Sequence, residues 1–104
     1  MITRTELQPI SDSALLERVA AGDVRALWEL SARHATALRA LAFGILRDPV
    51  DAEQVVQSTF HEVRYEAGRF DPAHFPVFQW LAELTRVGAL QRSRVRAATP
   101  SLLA

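Results

Sequence analysis

Charged side chains are distributed unevenly along the second half of this chain. Residues 48–71 contain six acidic residues and two arginines, a net charge of −4, whereas residues 72–104 contain one acid and four arginines, a net charge of +3. The formal net charge of the whole chain is zero, so this polarity is hidden in the total. An acidic segment suits a basic protein, and an arginine-bearing segment suits a polyanion. The alternative is that both segments are solvated helix faces without a ligand.

The sequence lacks the residue patterns that catalysis and metal binding require. Its three histidines, His34, His61 and His74, are far apart and lack the spacing of a zinc site, so we predict no metal and no cofactor. The four glycines are isolated, so there is no glycine-rich phosphate loop. No serine, histidine and aspartate are spaced to place a nucleophile beside a base. We therefore predict a binding module and not an enzyme.

Length and composition indicate one folded domain. Hydrophobic residues make up 49% of the 104 residues, which is typical of a globular chain, and there is no cysteine to form a disulfide. No segment approaches the roughly 20 apolar residues of a membrane span, and the N-terminus has no apolar signal core. We therefore expect a cytoplasmic protein with no membrane partner.

Apolar periodicity and turn residues predict an all-α fold, a compact four-helix domain. The predicted helices span about 12–21, 24–46, 51–66 and 76–96. The domain would cover residues 11–96, between a flexible N-terminal arm at 1–10 and a tail or linker stub at 97–104. A loop at 67–76, which contains glycine and proline, would join the last two helices.

Helix ends are marked by capping residues and turn residues. The candidate N-caps of the first helix are Ser11, Asp12 and Ser13. Gly22 followed by Asp23 predicts a stop and a restart. Asp51 with Gln54 resembles a capping box at the start of the third helix, and Pro76 suits the first turn of the fourth.

Each predicted helix carries one apolar face. The predicted inward positions are Leu15, Leu16, Val19, Ala20, Leu27, Leu30, His34, Leu38, Leu41, Ile45, Val55, Val56, Thr59, Phe60, Val63, Trp80, Leu81, Leu84 and Val87. Because His34 lies within the stripe of the second helix, we interpret it as a hydrogen-bonded packing residue. Leu38 and Trp80 are predicted to be core residues.

The loop and the fourth helix carry side chains that could hold single-stranded nucleic acid. The candidate DNA-binding residues are Arg69, Phe70, His74, Phe75, Arg86, Arg92, Arg94 and Arg96. The arginines would contact phosphates, and the rings would stack on unpaired bases, each worth about 1–3 kcal/mol. Phe70 and Phe75 have a second interpretation, because buried phenylalanine is common and both could close the core beneath the loop.

Several segments together resemble region 2 of the extracytoplasmic-function (ECF) sigma factors of bacterial RNA polymerase. These are LLERVAAGDVRALWELSARHATALRALAFGILRDPVDAEQVVQSTF, then GRFDP, FQWL and the arginine-bearing end, within about residues 13–96. The resemblance implies that one helix binds the coiled coil of the polymerase β′ subunit. It also implies that the next helix and its preceding loop bind and open the promoter −10 region as single-stranded DNA. An anti-sigma factor is a further expected partner.

The resemblance also assigns residues to the polymerase-binding surface. Its candidates are Asp51, Glu53, Gln54 and Gln57. The chain departs from the family pattern nearby, because Gln54 and Ser58 stand where the family usually has acids. On the DNA-facing helix, the family often has asparagine and aspartate where this chain has Val87 and Gln91. The alternative function is therefore a stand-alone sigma-like protein-interaction module without promoter recognition.

Overall fold

The computed structural model describes residues 9–71 and 73–98, which form four α-helices. The helices are α1 (Asp12–Ala20), α2 (Val24–Leu46), α3 (Pro49–Glu66) and α4 (Val77–Ala98), with a 3₁₀ turn at Ala67–Arg69. No strand occurs within the described ranges, so the predicted all-α, four-helix fold is confirmed. The predicted arm and tail lie mostly outside these ranges.

The first two helices begin and end where the sequence predicts. Ser11 caps α1, and its hydroxyl accepts a hydrogen bond from the backbone N–H of Ala14 at 3.1 Å. Gly22 has a φ of +96°, a left-handed value that glycine adopts without the steric cost of a Cβ. Asp23 then caps α2, and its carboxylate accepts from the N–H groups of Arg25 and Ala26. The turn therefore follows directly from the Gly-Asp pair.

The start of α3 differs from the prediction. Asp48, not Asp51, is the N-cap, and its carboxylate accepts from the N–H of Val50 at 2.9 Å and of Asp51 at 3.0 Å. The predicted capping box of Asp51 and Gln54 is wrong, because Pro49 occupies the first helical position. Proline suits that position, since its φ is fixed near the helical value and the absent N–H has no intrahelical partner there.

The start of α4 also differs slightly from the prediction. The helix begins at Val77, and the carbonyl of Pro76 accepts from the N–H of Trp80 at 3.2 Å. Pro76 therefore lies at the N-cap position, one residue before the first turn.

Helix α2 is the central element, and α1, α3 and α4 all pack against it. The larger core cluster lies where α1 meets the first half of α2, the second half of α3 and the start of α4. A smaller cluster lies at the other end, where Ala42 and Leu46 of α2 meet Ala52 and Val55 of α3 and Ala89 of α4. This distribution means that α3 runs antiparallel to α2, and that α4 runs parallel to α2.

Most predicted core positions on α1 and α3 are buried, but α2 and α4 are rotated relative to the prediction. On α4 the buried row is Val77, Leu81, Thr85 and Ala89, at intervals of four residues. Val87 lies two residues beyond Thr85, about 200° around the helix, and it is 40% exposed, so its predicted inward position is wrong. On α2 the buried row is Ala26, Leu30, Leu38, Ala42 and Leu46.

The flanking positions of these rows are only partly buried. Leu27, Leu41 and Ile45 flank the buried row of α2. Trp80 is half-buried beside Leu81, which differs from its predicted place in the core. In the smaller cluster, Ala42 and Ala89 let the helices approach closely, whereas Leu30, Leu38 and Leu81 are fully buried in the larger cluster.

Candidate functional site

An open groove of about 620 Å³ runs between α3 and α4. Val55, Thr59 and Gly88 line it, and charged residues of both helices stand around them. A Cβ built on Gly88 would lie 3.4 Å from Cγ1 of Val55, at the near limit of ordinary van der Waals contact, so α4 and α3 pack closely at this point. We call this feature the α3–α4 groove.

Two buried hydroxyl groups join α3 to α4 beside the groove. The Oγ1 atoms of Thr59 and Thr85 are 3.2 Å apart, and each hydroxyl also lies within hydrogen-bond distance of a carbonyl four residues earlier on its own helix. Since each hydroxyl has a single proton, one donates across the interface and the other to its own helix. Thr85 was not predicted as a core residue, although its spacing from Leu81 and Ala89 fits the buried row.

A charge cluster formed by Asp51, Gln54, Arg92 and Arg96 stands at one end of the groove. Asp51 Oδ1 accepts from Nη2 of Arg92 at 2.8 Å, and Asp51 Oδ2 lies 3.1 Å from Nη1 of Arg96. Arg92 also donates to the side-chain oxygen of Gln54, and Arg96 to the carbonyl of Leu46 at 3.1 Å. The cluster therefore joins two candidate polymerase-binding residues to two candidate DNA-binding residues.

The other candidate DNA-binding cations are mostly paired with nearby acids. Arg86 Nε donates to Glu83 at 3.0 Å, and Arg69 Nη1 lies 3.7 Å from Glu66. These pairs are exposed, and such pairs typically contribute between 0 and about 1 kcal/mol. Within the described ranges, Arg94 has no recorded acid partner.

The hydrogen bond from Arg86 also affects the titration of Glu83. It is the main cause of a lowered pKa for that carboxyl, while desolvation acts in the opposite direction. The same bond raises the pKa of Arg86. Because the pKa of Glu83 is lower in the folded state, the pair contributes most above the unfolded pKa, and its contribution is lost as the pH falls through the folded value. Glu83 is therefore ionised at neutral pH.

The loop between α3 and α4 contains one packed aromatic ring, that of Phe70, and two exposed rings, those of His74 and Phe75. Phe70 stacks on Trp80, with ring centroids 4.6 Å apart and an angle of 22° between the planes. His74 and Phe75 are exposed, and the side chain of His74 is 83% accessible. Asp71 holds the loop, because its carboxylate accepts from the N–H of Ala73 at 2.9 Å and from the His74 ring.

An open pocket of about 360 Å³ lies beside these rings, at the end of α3 and the beginning of α4. Phe70, His74, Phe75 and Trp80 all line it. The sequence left two interpretations of Phe70 open, packing against the core and stacking on a base. Phe70 is partly buried against the core through Trp80, and it also forms part of the pocket wall. We call this feature the aromatic pocket.

The candidate polymerase-binding residues lie on α3 in different environments. Glu53 pairs with Arg39 of α2 at 3.3 Å, and both side chains are 42% exposed. Gln57 is exposed, whereas Asp51 belongs to the charge cluster described above. Glu53 and Gln57 both line a smaller groove of about 290 Å³ between α2 and α3.

Sequence reasoning missed the aromatic side chains of the outer α2–α3 surface. Trp28 of α2 and Tyr65 of α3 are each 68% exposed, and the Tyr65 ring packs edge-on against His61 at 5.3 Å. Their exposure could have been predicted, because Trp28 and Tyr65 lie outside the predicted inward rows of α2 and α3.

His34 has the role that the sequence predicts. Its Nε2 lies 2.7 Å from Asp12 Oδ2, and its ring packs against Phe78 at 5.2 Å. It therefore connects the start of α1 to α2 and α4.

The described residues contain no group of three or more histidines and acids placed to hold a metal ion. None of the helices in these ranges is long and apolar enough to cross a membrane. A scan against protein-family models, a search of curated proteins and a search of solved structures each found no significant match.

Proposed function

We propose that this chain acts as a region 2 domain of an ECF-type sigma factor in transcription initiation. In this proposal α3 binds the coiled coil of the polymerase β′ subunit. The 67–76 loop and α4 bind the promoter −10 region as a single strand. The observation that supports the proposal is the aromatic pocket, whose rings belong to the loop and helix that the resemblance assigns to −10 DNA.

The size and the aromatic side chains of the pocket support this assignment, although Glu62, Glu66 and Asp71 also line it. A volume of about 360 Å³ is at the lower end of the range of small-molecule pockets, which suits a single planar group. The stacked Phe70 and Trp80 form a fixed wall, and the exposed rings of His74 and Phe75 can close on a base from the solvent side. Stacking of this kind tolerates any base, so it would position the strand more than it would select sequence.

The arginines of α4 would continue the contact along the phosphate backbone. Arg86 is half-exposed, and its pair with Glu83 is weak enough for a phosphate to compete with it. Arg94 is exposed near the far end of α4. Val87 is also exposed, but its side chain has no hydrogen-bonding group, so we expect weak discrimination between bases at that position.

The test of the DNA contact is fluorescence anisotropy with a labelled single strand that carries a −10-like sequence. The double substitution His74→Ala with Phe75→Ala should weaken binding at least about fivefold, which corresponds to roughly 1 kcal/mol for one stacked base. Tyr65→Ala is the control, because it removes an exposed aromatic ring from the outer surface of α3. Equal weakening by both variants would contradict the proposed base-binding pocket.

The polymerase contact is tested separately with the isolated β′ coiled coil. Gln54→Asp with Ser58→Glu adds acids on α3 and should strengthen binding to a basic coiled coil. Gln57→Ala should weaken binding, because the amide can donate and accept hydrogen bonds. Titration calorimetry measures both effects, and an unchanged or weaker affinity of the double variant would show that α3 is not the contact surface.

A second candidate function is a sigma-like protein-interaction module without promoter recognition. The observation that favours it is the pairing of Arg69, Arg86, Arg92 and Arg96 with carboxylates of the same chain, which reduces the positive field of the loop and α4. This function predicts binding to the β′ coiled coil and no binding to single-stranded DNA even at low salt. The proposed function predicts binding to both.

A further inference from the structure

The arginines of the charge cluster are more exposed than the acid that holds them. The side chain of Asp51 is 20% accessible, compared with 39% for Arg92 and 49% for Arg96. The carboxylate therefore lies deeper than the two guanidinium groups that bind it. Both arginines line the α3–α4 groove and can meet a ligand from the solvent side.

The hydrogen bonds of the cluster leave donors unused. A guanidinium group carries five N–H donors. Within the described residues, Arg92 donates through Nη2 only and Arg96 through Nη1 only. Nε and the second terminal nitrogen of each arginine have no recorded acceptor in these ranges. Arg92 and Arg96 also share the single carboxylate of Asp51, so these three side chains together carry a net positive charge.

These observations fit a site for a second anion. Phosphate and carboxylate both bind the planar guanidinium fork with two parallel hydrogen bonds, so they compete for the same geometry. Arg92 and Arg96 are four residues apart and lie on one face of α4, so one phosphodiester group can contact both. Ion pairs with this exposure are weak in water, and a polyanion that binds at several points at once can displace the carboxylate.

We propose that Asp51 is an internal competitor for a phosphate-binding pair formed by Arg92 and Arg96. The negative charge of Asp51 lowers the affinity of α4 for single-stranded nucleic acid. This inference deepens the proposed function and rests on it for the identity of the polyanion alone.

The test compares the wild-type protein with Asp51→Asn, which removes the charge and keeps the size of the side chain. Binding to a labelled oligothymidylate of about 12 nucleotides is followed by anisotropy at several salt concentrations. We expect Asp51→Asn to bind roughly three- to tenfold more tightly, from the typical strength of two partly exposed ion pairs. The slope of log K against log salt should steepen by roughly 0.7 for each additional phosphate that the variant neutralises.

The matched control is Glu29→Gln, which removes one negative charge from an exposed pair elsewhere in the molecule. Glu29 Oε1 lies 3.4 Å from Nε of Arg33, and both residues belong to α2. We expect this variant to bind like the wild-type protein. Adding Arg92→Gln and Arg96→Gln to Asp51→Asn should abolish the increase in affinity, because the donors are then removed.

Circular dichroism and denaturant melts must show that Asp51→Asn is folded. If it is not, Asp51→Ser takes its place, since serine is uncharged and its hydroxyl can still accept a hydrogen bond. An equal increase in affinity from Asp51→Asn and Glu29→Gln would overturn the inference, because the effect would then be one of net charge. The inference would also be overturned if Asp51→Asn bound no more tightly than the wild-type protein, or if no variant bound the oligonucleotide at all.

Failure of the inference and failure of the proposed function remain distinguishable. If removal of the His74 and Phe75 side chains abolishes binding while Asp51→Asn has no effect, only the competitor role of Asp51 is contradicted. Tighter binding by Asp51→Asn, without any effect of His74 and Phe75, contradicts the base-binding pocket and leaves the competitor in place.

Discussion

At the scale of single residues, the contact between α3 and α4 depends on a polar pair inside an apolar core. Thr59 is 3% exposed and Thr85 is fully buried, and their hydroxyl groups are each other's partners across the interface. Removing one hydroxyl leaves the other without its cross-helix hydrogen bond. Removing both leaves two valine-like surfaces that can pack together.

This pair predicts a non-additive effect of substitution. Thr85→Val should lower the free energy of unfolding by about 1–2 kcal/mol, because one buried hydroxyl loses a partner. Thr59→Val with Thr85→Val should cost less than the sum of the two single changes, by about 0.5–1 kcal/mol. A double-mutant cycle from urea denaturation measures the coupling. Strict additivity would show that the two hydroxyl groups do not interact.

Two large side chains of α2 differ in how deeply they are buried. Leu38 is fully buried and Trp28 is 68% exposed. Leu38→Ala should cost about 2–5 kcal/mol, because it leaves a cavity in the core. Trp28→Ala, the control, should change stability by less than about 0.5 kcal/mol, as surface substitutions usually do. Similar costs in denaturant melts would mean that the helix is rotated relative to this structure.

At the scale of elements, α4 lies close to α3 at Gly88. Gly88 lies opposite Val55, whereas Gly44, in α2, has no other atom within 4 Å of the position that a Cβ would occupy. A methyl group added by Gly→Ala would therefore contact Val55 at position 88 but face open space at position 44.

We predict that Gly44→Ala stabilises the protein by about 0.5–1 kcal/mol, because alanine loses less backbone entropy in a helix. Gly88→Ala should stabilise less, since the new methyl group would lie 3.4 Å from Cγ1 of Val55, at the near limit of ordinary van der Waals contact. Thermal melts of the two variants make the comparison. Equal stabilisation by both substitutions would show that the helices are farther apart than described here.

At the scale of the whole molecule, α1 completes the larger core cluster. Leu15, Leu16 and Val19 are nearly fully buried against the other helices. Burying three such side chains contributes roughly 5–9 kcal/mol, which is comparable to the whole stability of a typical domain. The remaining helices would expose this surface without α1.

A fragment that begins at Asp23 should therefore lose cooperative unfolding. Its circular dichroism spectrum should retain some helix without a sharp thermal transition, in contrast to the full chain. Leu16→Ala in the full chain serves as the graded control and should lower the melting temperature while the transition remains cooperative. A cooperative transition in the fragment would show that α1 is dispensable for the core.

The sequence by itself determined the number of helices, most of their ends and the location of the loop. Ser11, Gly22 and Asp23 act on their immediate neighbours, so their effect can be predicted without the rest of the molecule. The start of α3 was misjudged because Asp48 and Asp51 can both cap a helix, and the choice depended on how Pro49 fits the first turn.

Only the tertiary structure decided which side chains meet. The sequence predicts Asp51 on a polymerase-binding surface and Arg92 and Arg96 on a DNA-binding one, but the antiparallel packing of α3 and α4 places them in contact. The burial of Thr85 and the partial exposure of Trp80 likewise depend on which face of α4 meets α2 and α3. Helical periodicity gives the spacing along one helix, but the rotation of each helix is fixed by close packing against its neighbours.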